Sequence, residues 1–262
     1  AIVAFAQQHD QQVVGHTLVW HSQAPRWLFE DESGQPLSRE EALANLRTHI
    51  ETVLDHFRGR VVGWDVVNEA ISDAPNEYLR APPARRAIGD DYVIQAFLIA
   101  HQRDPTVELY YNDYNIEADY KRPKAMRLIR ELQAAGVKLD AIGVQGHWLL
   151  RSPSISEIER GLAELASTGV PLHITELDID PLPRRGAGAD VNASEQAADP
   201  YREGLPPEMQ QELADRYRAV FDLLVRHANE GTVKRVTLWG VHDGSTWLNY
   251  FPVRGRTNHP LL

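Results

Sequence analysis

The stretches Trp-Asp-Val-Val-Asn-Glu-Ala at residues 64–70 and His-Ile-Thr-Glu-Leu-Asp at residues 173–178 decide the fold. Each is an apolar, largely β-branched run that ends abruptly in polar groups. Buried strands that expose polar side chains only at their carboxyl ends are typical of parallel β/α barrels, whose functional residues lie at that end. The two stretches therefore predict two barrel strands that each present one glutamate, Glu69 and Glu176.

Strand-like and helix-like segments alternate along the rest of the chain. Six strands are predicted to start near residues 13, 61, 107, 141, 171 and 235, and a seventh at Leu261. The fourth is predicted over residues 141–148 and the sixth over residues 236–241. Helices are predicted at residues 2–9, at about 90–103, 121–135, 154–167 and 208–230, and from Ser38 onward, where Ser38 and Glu41 form a capping-box pattern. A long loop with Pro75, Pro82 and Pro83 is predicted before the helix at 90–103. Strict alternation predicts an α/β protein with a parallel sheet and outer helices, of the (β/α)8 TIM-barrel kind. Such a barrel would lack its first strand and last helix in this chain.

The alternation predicts one catalytic domain over residues 1–262, truncated at both ends. Residues 181–207 are rich in Pro, Gly, Ala and charge, and we interpret them as a loop insertion because the barrel pattern resumes after them. No signal peptide is present, and Ala1 already reads as part of a helix, so we expect the natural start to lie upstream.

Composition narrows the class of protein. A length of 262 residues fits one α/β barrel of about 250 residues. The net charge of −10 argues against nucleic acid as a partner, because phosphate binding requires clustered Lys and Arg. No apolar run approaches the roughly 20 residues that span a bilayer, so no membrane partner is expected. The absence of cysteine excludes disulfides and cysteine-ligated metal.

Six motifs at or near the predicted strand ends carry a family resemblance. They are Gly-His-Thr-Leu-Val-Trp-His-Ser-Gln (15–23), Trp-Asp-Val-Val-Asn-Glu-Ala (64–70), Tyr-Asn-Asp-Tyr-Asn (111–115), Gly-Val-Gln-Gly-His (143–147), Ile-Thr-Glu-Leu-Asp (174–178) and Leu-Trp-Gly-Val (238–241). In this order they closely resemble glycoside hydrolase family 10, the retaining endo-β-1,4-xylanases. The resemblance covers essentially the whole chain. It departs at the ends, where the family's first strand, with a substrate-binding lysine, and its closing helix have no counterpart.

The resemblance implies the chemistry of the two glutamates. Glu69 would be the general acid/base and Glu176 the nucleophile, since retaining glycosidases use one carboxyl group for each task. Alternation along a strand would place Asp178 on the same face as Glu176. By resemblance, His147 would lie between these two carboxylates and hold the nucleophile ionised and oriented. A structural role for this histidine was the alternative.

The resemblance also implies a set of substrate-binding side chains. They are His16, Trp20, Asn68, Tyr114, Gln145, His147, Trp239 and Trp247. A tryptophan face packs on the C–H face of a sugar ring while its N–H reaches a hydroxyl, and Asn68 would donate to the 2-hydroxyl of the sugar in the cleaved unit.

Several side chains near these motifs have more than one interpretation. His16, Tyr114 and Gln145 could instead pack behind the site. Asn112 and Trp64 look like support for the site, and Trp27 and Trp148 stay ambiguous.

Histidines at strand ends raise the alternative of a metallohydrolase. His16, His147 and His242 end three predicted strands. However, no His-x-His motif lies on a first strand, no lysine is placed to bridge two metals, and strand alternation puts His16 and His21 on opposite faces. We therefore expect no metal and no cofactor.

Other functions remain open at this point. A related barrel glycosidase would cut glucan or mannan, and a carbohydrate-binding barrel would lack catalysis. The expected partner is xylan or a xylo-oligosaccharide, and the chain is expected to be a monomer. We expect secretion, because polymeric xylan cannot enter a cell; an intracellular enzyme acting on xylo-oligosaccharides is the alternative.

Overall fold

The regular elements follow the predicted alternation in a computed structural model that describes residues 1–182, 200–251 and 254–261. Its helices are α1 (Ile2–Gln8), α2 (Arg39–Phe57), α3 (Pro83–Ile88), α4 (Tyr92–Arg103), α5 (Arg122–Ala134), α6 (Ile155–Ala166) and α7 (Pro207–Asn229). Its strands are β1 (Val14–Trp20), β2 (Gly63–Asn68), β3 (Glu108–Asp113), β4 (Ala141–Val144), β5 (His147–Leu149), β6 (Leu172–Asp180) and β7 (Val233–Leu238). Short 3₁₀ turns cover Arg26–Leu28, Asp243–Ser245 and Trp247–Asn249. None of the described helices is both long and apolar enough to span a bilayer.

The chain divides into two compact units. The first consists of Ala1–Asp113, Tyr120–Gly143 and Thr168–Val170, and the second of Tyr114–Asp119, Val144–Ser167 and Pro171–Leu262.

In the first unit, β1 pairs with β2 and β2 with β3, all in parallel. The register places Trp20 opposite Asn68 and Asn68 opposite Asn112, so polar and aromatic groups share one row at the carboxyl ends. Glycine permits the close packing at the other end of these strands. A Cβ atom at Gly15 would lie 2.2 Å from the Trp64 ring, so Trp64 packs directly on the backbone of β1.

In the second unit, β6 pairs in parallel with both β5 and β7. Every residue of β6 is buried, as a strand covered on both faces requires. His147, the first residue of β5, pairs with Asp178 of β6. This register brings together two residues that lie 31 positions apart.

Both units contain a helix that begins with a reciprocal cap. Ser38 caps α2 by accepting from the N–H of Glu41, and the Glu41 carboxylate accepts from the N–H of Ser38. This confirms the capping-box pattern in the sequence. Ser154 and Glu157 form the same arrangement at α6.

The boundaries of two predicted strands were wrong. The strand predicted at 141–148 is divided into β4 and β5, because the intervening Gly146 adopts a left-handed φ of 81° that no regular strand contains. The strand predicted at 236–241 ends earlier, as β7 at Leu238. Val241 is 93% exposed, so its apolar character does not reflect burial in a strand.

Two further differences concern element identity. Among the described residues, Leu261 belongs to no strand. The described residues still form seven strands, because the predicted strand at 141–148 is divided and adds the short β5. The loop predicted around Pro82 and Pro83 contains α3, because proline is well suited to the first position of a helix. Of the predicted insertion at 181–207, residues 183–199 lie outside the described residues. The single-domain and insertion interpretations stay predictions.

Candidate active site

Glu69 of the first unit directly follows β2 and adopts a left-handed backbone conformation with φ of 57°. This region is uncommon for a residue other than glycine and costs on the order of 1–3 kcal/mol. The conformation is held by a hydrogen bond from the Glu69 N–H to the carbonyl of Asn112, at 2.9 Å. Strand β2 therefore ends in a turn that redirects the Glu69 side chain.

N–H donors surround the Glu69 carboxyl group. The indole Nε1 of Trp20 donates to Oε2 at 3.0 Å, and the Asn68 amide donates to Oε1 at 3.2 Å. The amide of Asn112 donates to Asn68 Oδ1 at 2.9 Å and so fixes the orientation of Asn68, which agrees with the predicted supporting role of Asn112. His21 Nδ1 lies 4.0 Å from Oε2. The Glu69 side chain remains 14% exposed, which leaves room for a ligand to reach it.

Burial lowers the pKa of His21 below its usual value, and the positive charge of Arg80 acts in the same direction. The His21 imidazole beside Glu69 is therefore neutral at pH 7. Sequence reasoning missed His21 as a neighbour of Glu69, because it treated His21 as a strand residue on the face opposite His16, whereas β1 ends at Trp20.

His16 has a different neighbour. Its Nδ1 lies 2.9 Å from Asp65 Oδ2, across the β1–β2 pair. The substrate-binding role of His16 stays a prediction.

In the second unit, Glu176 belongs to a charged hydrogen-bonded chain. His147 Nε2 lies 3.1 Å from Glu176 Oε2, and His147 Nδ1 lies 2.8 Å from Asp178 Oδ1. The Trp247 indole donates to the other Asp178 oxygen at 2.7 Å. Glu176 and Asp178 share one face of β6, as strand alternation predicted, and the Glu176 side chain is 7% exposed.

Burial by itself would lower the pKa of the His147 imidazole, but the carboxylates of Asp178 and Glu176 outweigh it and raise that pKa to about 10. The ring is therefore an imidazolium at neutral pH and donates from both nitrogens. A cation bonded to both carboxylates fixes the orientation of the Glu176 carboxylate.

Aromatic rings surround the same histidine. The ring centroids of Trp239 and Trp247 lie 6.3 Å and 5.0 Å from that of His147. The Phe251 ring stacks on Trp247 at 5.6 Å. These indoles offer apolar faces beside a carboxylate, the arrangement that a sugar ring requires.

The other predicted site residues lie close in sequence to these groups. Gln145 is buried between β4 and β5, and its carbonyl accepts from the Glu176 N–H at 2.8 Å. Tyr114 is half-buried and follows β3 directly.

The structure resolves the two ambiguous tryptophans. Trp148 is a core residue, since its indole donates to the buried Glu117 at 2.7 Å, whereas Trp27 is largely exposed.

Within the described ranges, no group of three or more His, Cys, Asp or Glu side chains is arranged to hold a metal ion. Each unit instead provides one glutamate with its own hydrogen-bond partners, Glu69 directly after β2 and Glu176 within β6. Glutamates held in this way fit the class of glycoside hydrolases, most of which work through a pair of carboxyl groups.

Comparison with known proteins identifies the family. The family model described as glycosyl hydrolase family 10 matches residues 1–262. Endo-1,4-beta-xylanase A of Xylanibacter ruminicola is 41% identical over 266 residues, which cover 100% of this chain and 71% of that protein. An endo-1,4-beta-xylanase of Geobacillus stearothermophilus is 42% identical over 254 residues, covering 95% and 72%. The solved structure of a family 10 endoxylanase from a sugarcane soil metagenome has a TM-score of 0.89 and 42% identity, covering 100% of this chain and 74% of that one.

The chain belongs to glycosyl hydrolase family 10. The predicted family and the (β/α)8 fold class are thereby confirmed.

Proposed function

We propose that the chain is an endo-1,4-β-xylanase that cleaves xylan with retention, with Glu176 as nucleophile and Glu69 as general acid/base. The observation that carries the assignment of roles is the bonding of Glu176 to cationic His147. A carboxylate held by a cation suits a nucleophile, which must act as an anion. The choice of xylan is supported by the endo-1,4-beta-xylanases that are about 40% identical to this chain.

In the first step, an oxygen of Glu176 attacks the anomeric carbon and the bond to the leaving sugar oxygen breaks. Glu69 donates its proton to that oxygen, so the leaving sugar departs as an alcohol. The products are a glycosyl ester of Glu176 and the Glu69 carboxylate.

In the second step, the Glu69 carboxylate takes a proton from water as the water oxygen attacks the anomeric carbon. The ester bond breaks and Glu176 leaves as a carboxylate. Two inversions at one carbon give net retention.

The substrate contacts support these steps. Asn68 donates to the 2-hydroxyl of the sugar in the cleaved unit, a contact that strengthens as the oxocarbenium-like state develops. Trp20, Trp239 and Trp247 pack against sugar rings. His16, Tyr114, Gln145 and His147 provide further polar contacts.

The substrate is tested by measuring reducing ends released from xylan, carboxymethyl cellulose and mannan. We expect hydrolysis of xylan only, with β-anomers formed first in the proton NMR spectrum. The variants Glu69→Ala and Glu176→Ala control for contaminating enzymes, since each should lower xylan hydrolysis by about 100-fold or more. A preference for cellulose or mannan would overturn the substrate class, and α-anomers formed first would overturn retention.

We also propose that the protein is a secreted monomer, because a polymeric substrate must be cut outside the cell. Comparing xylanase activity in the culture medium and in washed cells of the native host tests secretion. Activity confined to the cells would favour an enzyme acting on imported xylo-oligosaccharides. Sedimentation velocity tests the monomer.

A further inference from the structure

The turn that carries Glu69 is fixed through its backbone. Arg80 holds two of its carbonyl groups: the side-chain Nε donates to the carbonyl of Glu69 at 3.1 Å, and the backbone N–H donates to the carbonyl of Ala70 at 2.8 Å. The N–H of Glu69 donates to Asn112, as described above. The left-handed conformation of Glu69 therefore depends on contacts outside the turn.

The next two N–H groups of the turn donate hydrogen bonds to buried side chains of β3. The N–H of Ala70 donates to the Tyr111 hydroxyl at 3.1 Å, and that of Ile71 donates to Asp113 Oδ2 at 3.3 Å. The Tyr111 hydroxyl itself donates to Asp113 Oδ2 at 2.6 Å. Asp113 thus accepts, directly or through Tyr111, for both N–H groups.

A lysine supports this aspartate. Lys121 immediately precedes α5, and its side chain is 0% exposed, as is that of Asp113. Its ammonium group lies 2.8 Å from Asp113 Oδ1 and 3.2 Å from Asp73 Oδ1. Asp73 in turn binds Arg80 at 2.6 Å. Lys121 therefore connects the two anchors of the turn, Asp113 and Arg80.

The charge of Lys121 determines what Asp113 can do. Burial raises the pKa of Asp113, and the Lys121 ammonium acts against that rise. Without the cation, the buried carboxyl would take up a proton or lose its fixed orientation. A protonated Asp113 has one acceptor oxygen fewer for the Tyr111 hydroxyl and the Ile71 N–H. The turn would then lose the contacts that hold its conformation.

We propose that Lys121 is a positioning residue for the acid/base step and acts through Asp113 and Tyr111 on the backbone of residues 69–71. This inference rests on the proposed role of Glu69 as acid/base. A displacement of about 1 Å in a catalytic group can cost about 10²-fold in rate. Loss of the lysine should therefore impair proton transfer by Glu69 and spare nucleophilic attack by Glu176.

The test compares Lys121→Met with the wild type on aryl β-xylobiosides whose leaving groups range from dinitrophenol to unactivated phenol. We expect kcat/KM on the poor leaving group to fall about 10- to 100-fold, a partial loss of the 10²–10⁴-fold that general acid catalysis supplies, and kcat/KM on the dinitrophenyl substrate to fall by less than about 3-fold. Azide, which needs no base, should raise kcat on the activated substrate. If part of the protein were unfolded, kcat/KM would fall by the same factor on all substrates, and azide would have no effect.

Lys124 provides a matched control. It lies within α5, and its ammonium donates to the carbonyls of Ser72 (2.9 Å) and Ala74 in the same loop. Its bonds are to the loop beyond Ile71, so Lys124→Met should keep the wild-type dependence on the leaving group.

Two outcomes would overturn the inference: an equal loss on all leaving groups for Lys121→Met, or the same leaving-group dependence in Lys121→Met and Lys124→Met. Glu69→Ala separates this failure from failure of the proposed function. If Glu69→Ala shows the contrast between leaving groups and Lys121→Met does not, only the positioning role is wrong; if neither shows it, the role of Glu69 is wrong.

If Lys121→Met does not fold, Tyr111→Phe decides the matter. It removes the hydroxyl that joins Ala70 to Asp113 and leaves the buried ion pair in place. The same leaving-group contrast, smaller in size, is expected, and its absence would overturn the inference.

Discussion

The two glutamates are held in different ways. Glu69 lies on a strained turn and receives its hydrogen bonds from the neutral groups of Trp20 and Asn68. Glu176 lies within strand β6 and is bonded to the imidazolium of His147.

The difference matches the chemistry proposed for each residue. An acid/base must gain and lose a proton in every cycle from one position, and the turn with its Trp20 and Asn68 contacts fixes where the Glu69 carboxyl group lies. A nucleophile must be anionic and aimed at one carbon, and the imidazolium bonded to Glu176 suits both requirements. Under the proposed roles, the two glutamates are of the same residue type and differ in their hydrogen-bond partners.

The largest effect should come from Glu176→Ala. Without the nucleophile no glycosyl ester forms, so we expect losses on the order of 10⁵-fold or more, comparable with removal of other covalent nucleophiles. The loss should be similar for activated and unactivated aryl xylobiosides in steady-state assays. Strong residual activity on the activated substrate would mean that another group attacks the anomeric carbon.

Glu69→Ala should have a smaller and selective effect. We expect kcat/KM to fall about 10²- to 10⁴-fold on xylobiosides with poor leaving groups, and little on dinitrophenyl xylobioside, which needs no proton. A pre-steady-state burst of dinitrophenol should appear, because the glycosyl-enzyme forms normally and hydrolyses slowly. A uniform loss without a burst would remove the distinction between the two glutamates.

The charge of His147 can be tested through stability. Asp178 and Glu176 raise its pKa to about 10, whereas an imidazole in the unfolded chain has a pKa of about 6.5. The raised pKa therefore contributes stability that is fully present below about pH 6.5 and is lost as the pH rises towards about 10. Asp178→Asn should lower the pKa of His147 in the folded state. The loss of stability with rising pH should then be smaller and should be complete at a lower pH. Urea midpoints measured between pH 6 and 9.5 test this.

Asp180→Asn is the control for this measurement. Asp180 lies on the same strand, and its carboxylate accepts from the Leu182 N–H and the Asn258 amide, both at 2.9 Å. Asp180→Asn should therefore leave the pH dependence of the urea midpoint between pH 6.5 and 9.5 unchanged. An identical slope in wild type and Asp178→Asn would show that His147 is not the group responsible.

The smallest effects should be alike in the two units. Ser38→Ala and Ser154→Ala each remove an N-cap, so each should lower the free energy of unfolding by about 1 kcal/mol. Neither should change the dependence on leaving group. A cap variant that did so would mean that the catalytic contrast reflects general stability.

Much of the fold could be predicted because periodic apolar patterns and helix caps are local signals. The capping-box pair Ser38 and Glu41 predicts the start of α2, and the apolar run before Asn68 and Glu69 predicts β2. Element ends were less accurate, as at β7, where exposed Val241 was assigned to a strand. An apolar residue alone does not reveal whether it is buried.

The supports of the site were harder to predict. The lysine at 121 is fully buried, yet lysine is normally exposed and nothing in its neighbourhood marks it as a core residue. Asp113 lies inside a quoted motif, but its contacts with Tyr111 and Ile71 depend on tertiary packing. Such residues do not belong to a periodic sequence pattern, so their supporting role is identified only from the three-dimensional structure.

The most direct test of the different roles is the configuration of the product formed with azide. With Glu69→Ala, azide should attack the glycosyl ester of Glu176 and give a β-xylobiosyl azide from dinitrophenyl β-xylobioside. Proton NMR distinguishes this product from the α-azide, which would form if azide replaced a missing nucleophile. A β-azide from Glu69→Ala is the result that the account predicts; an α-azide, or no azide product, would contradict it.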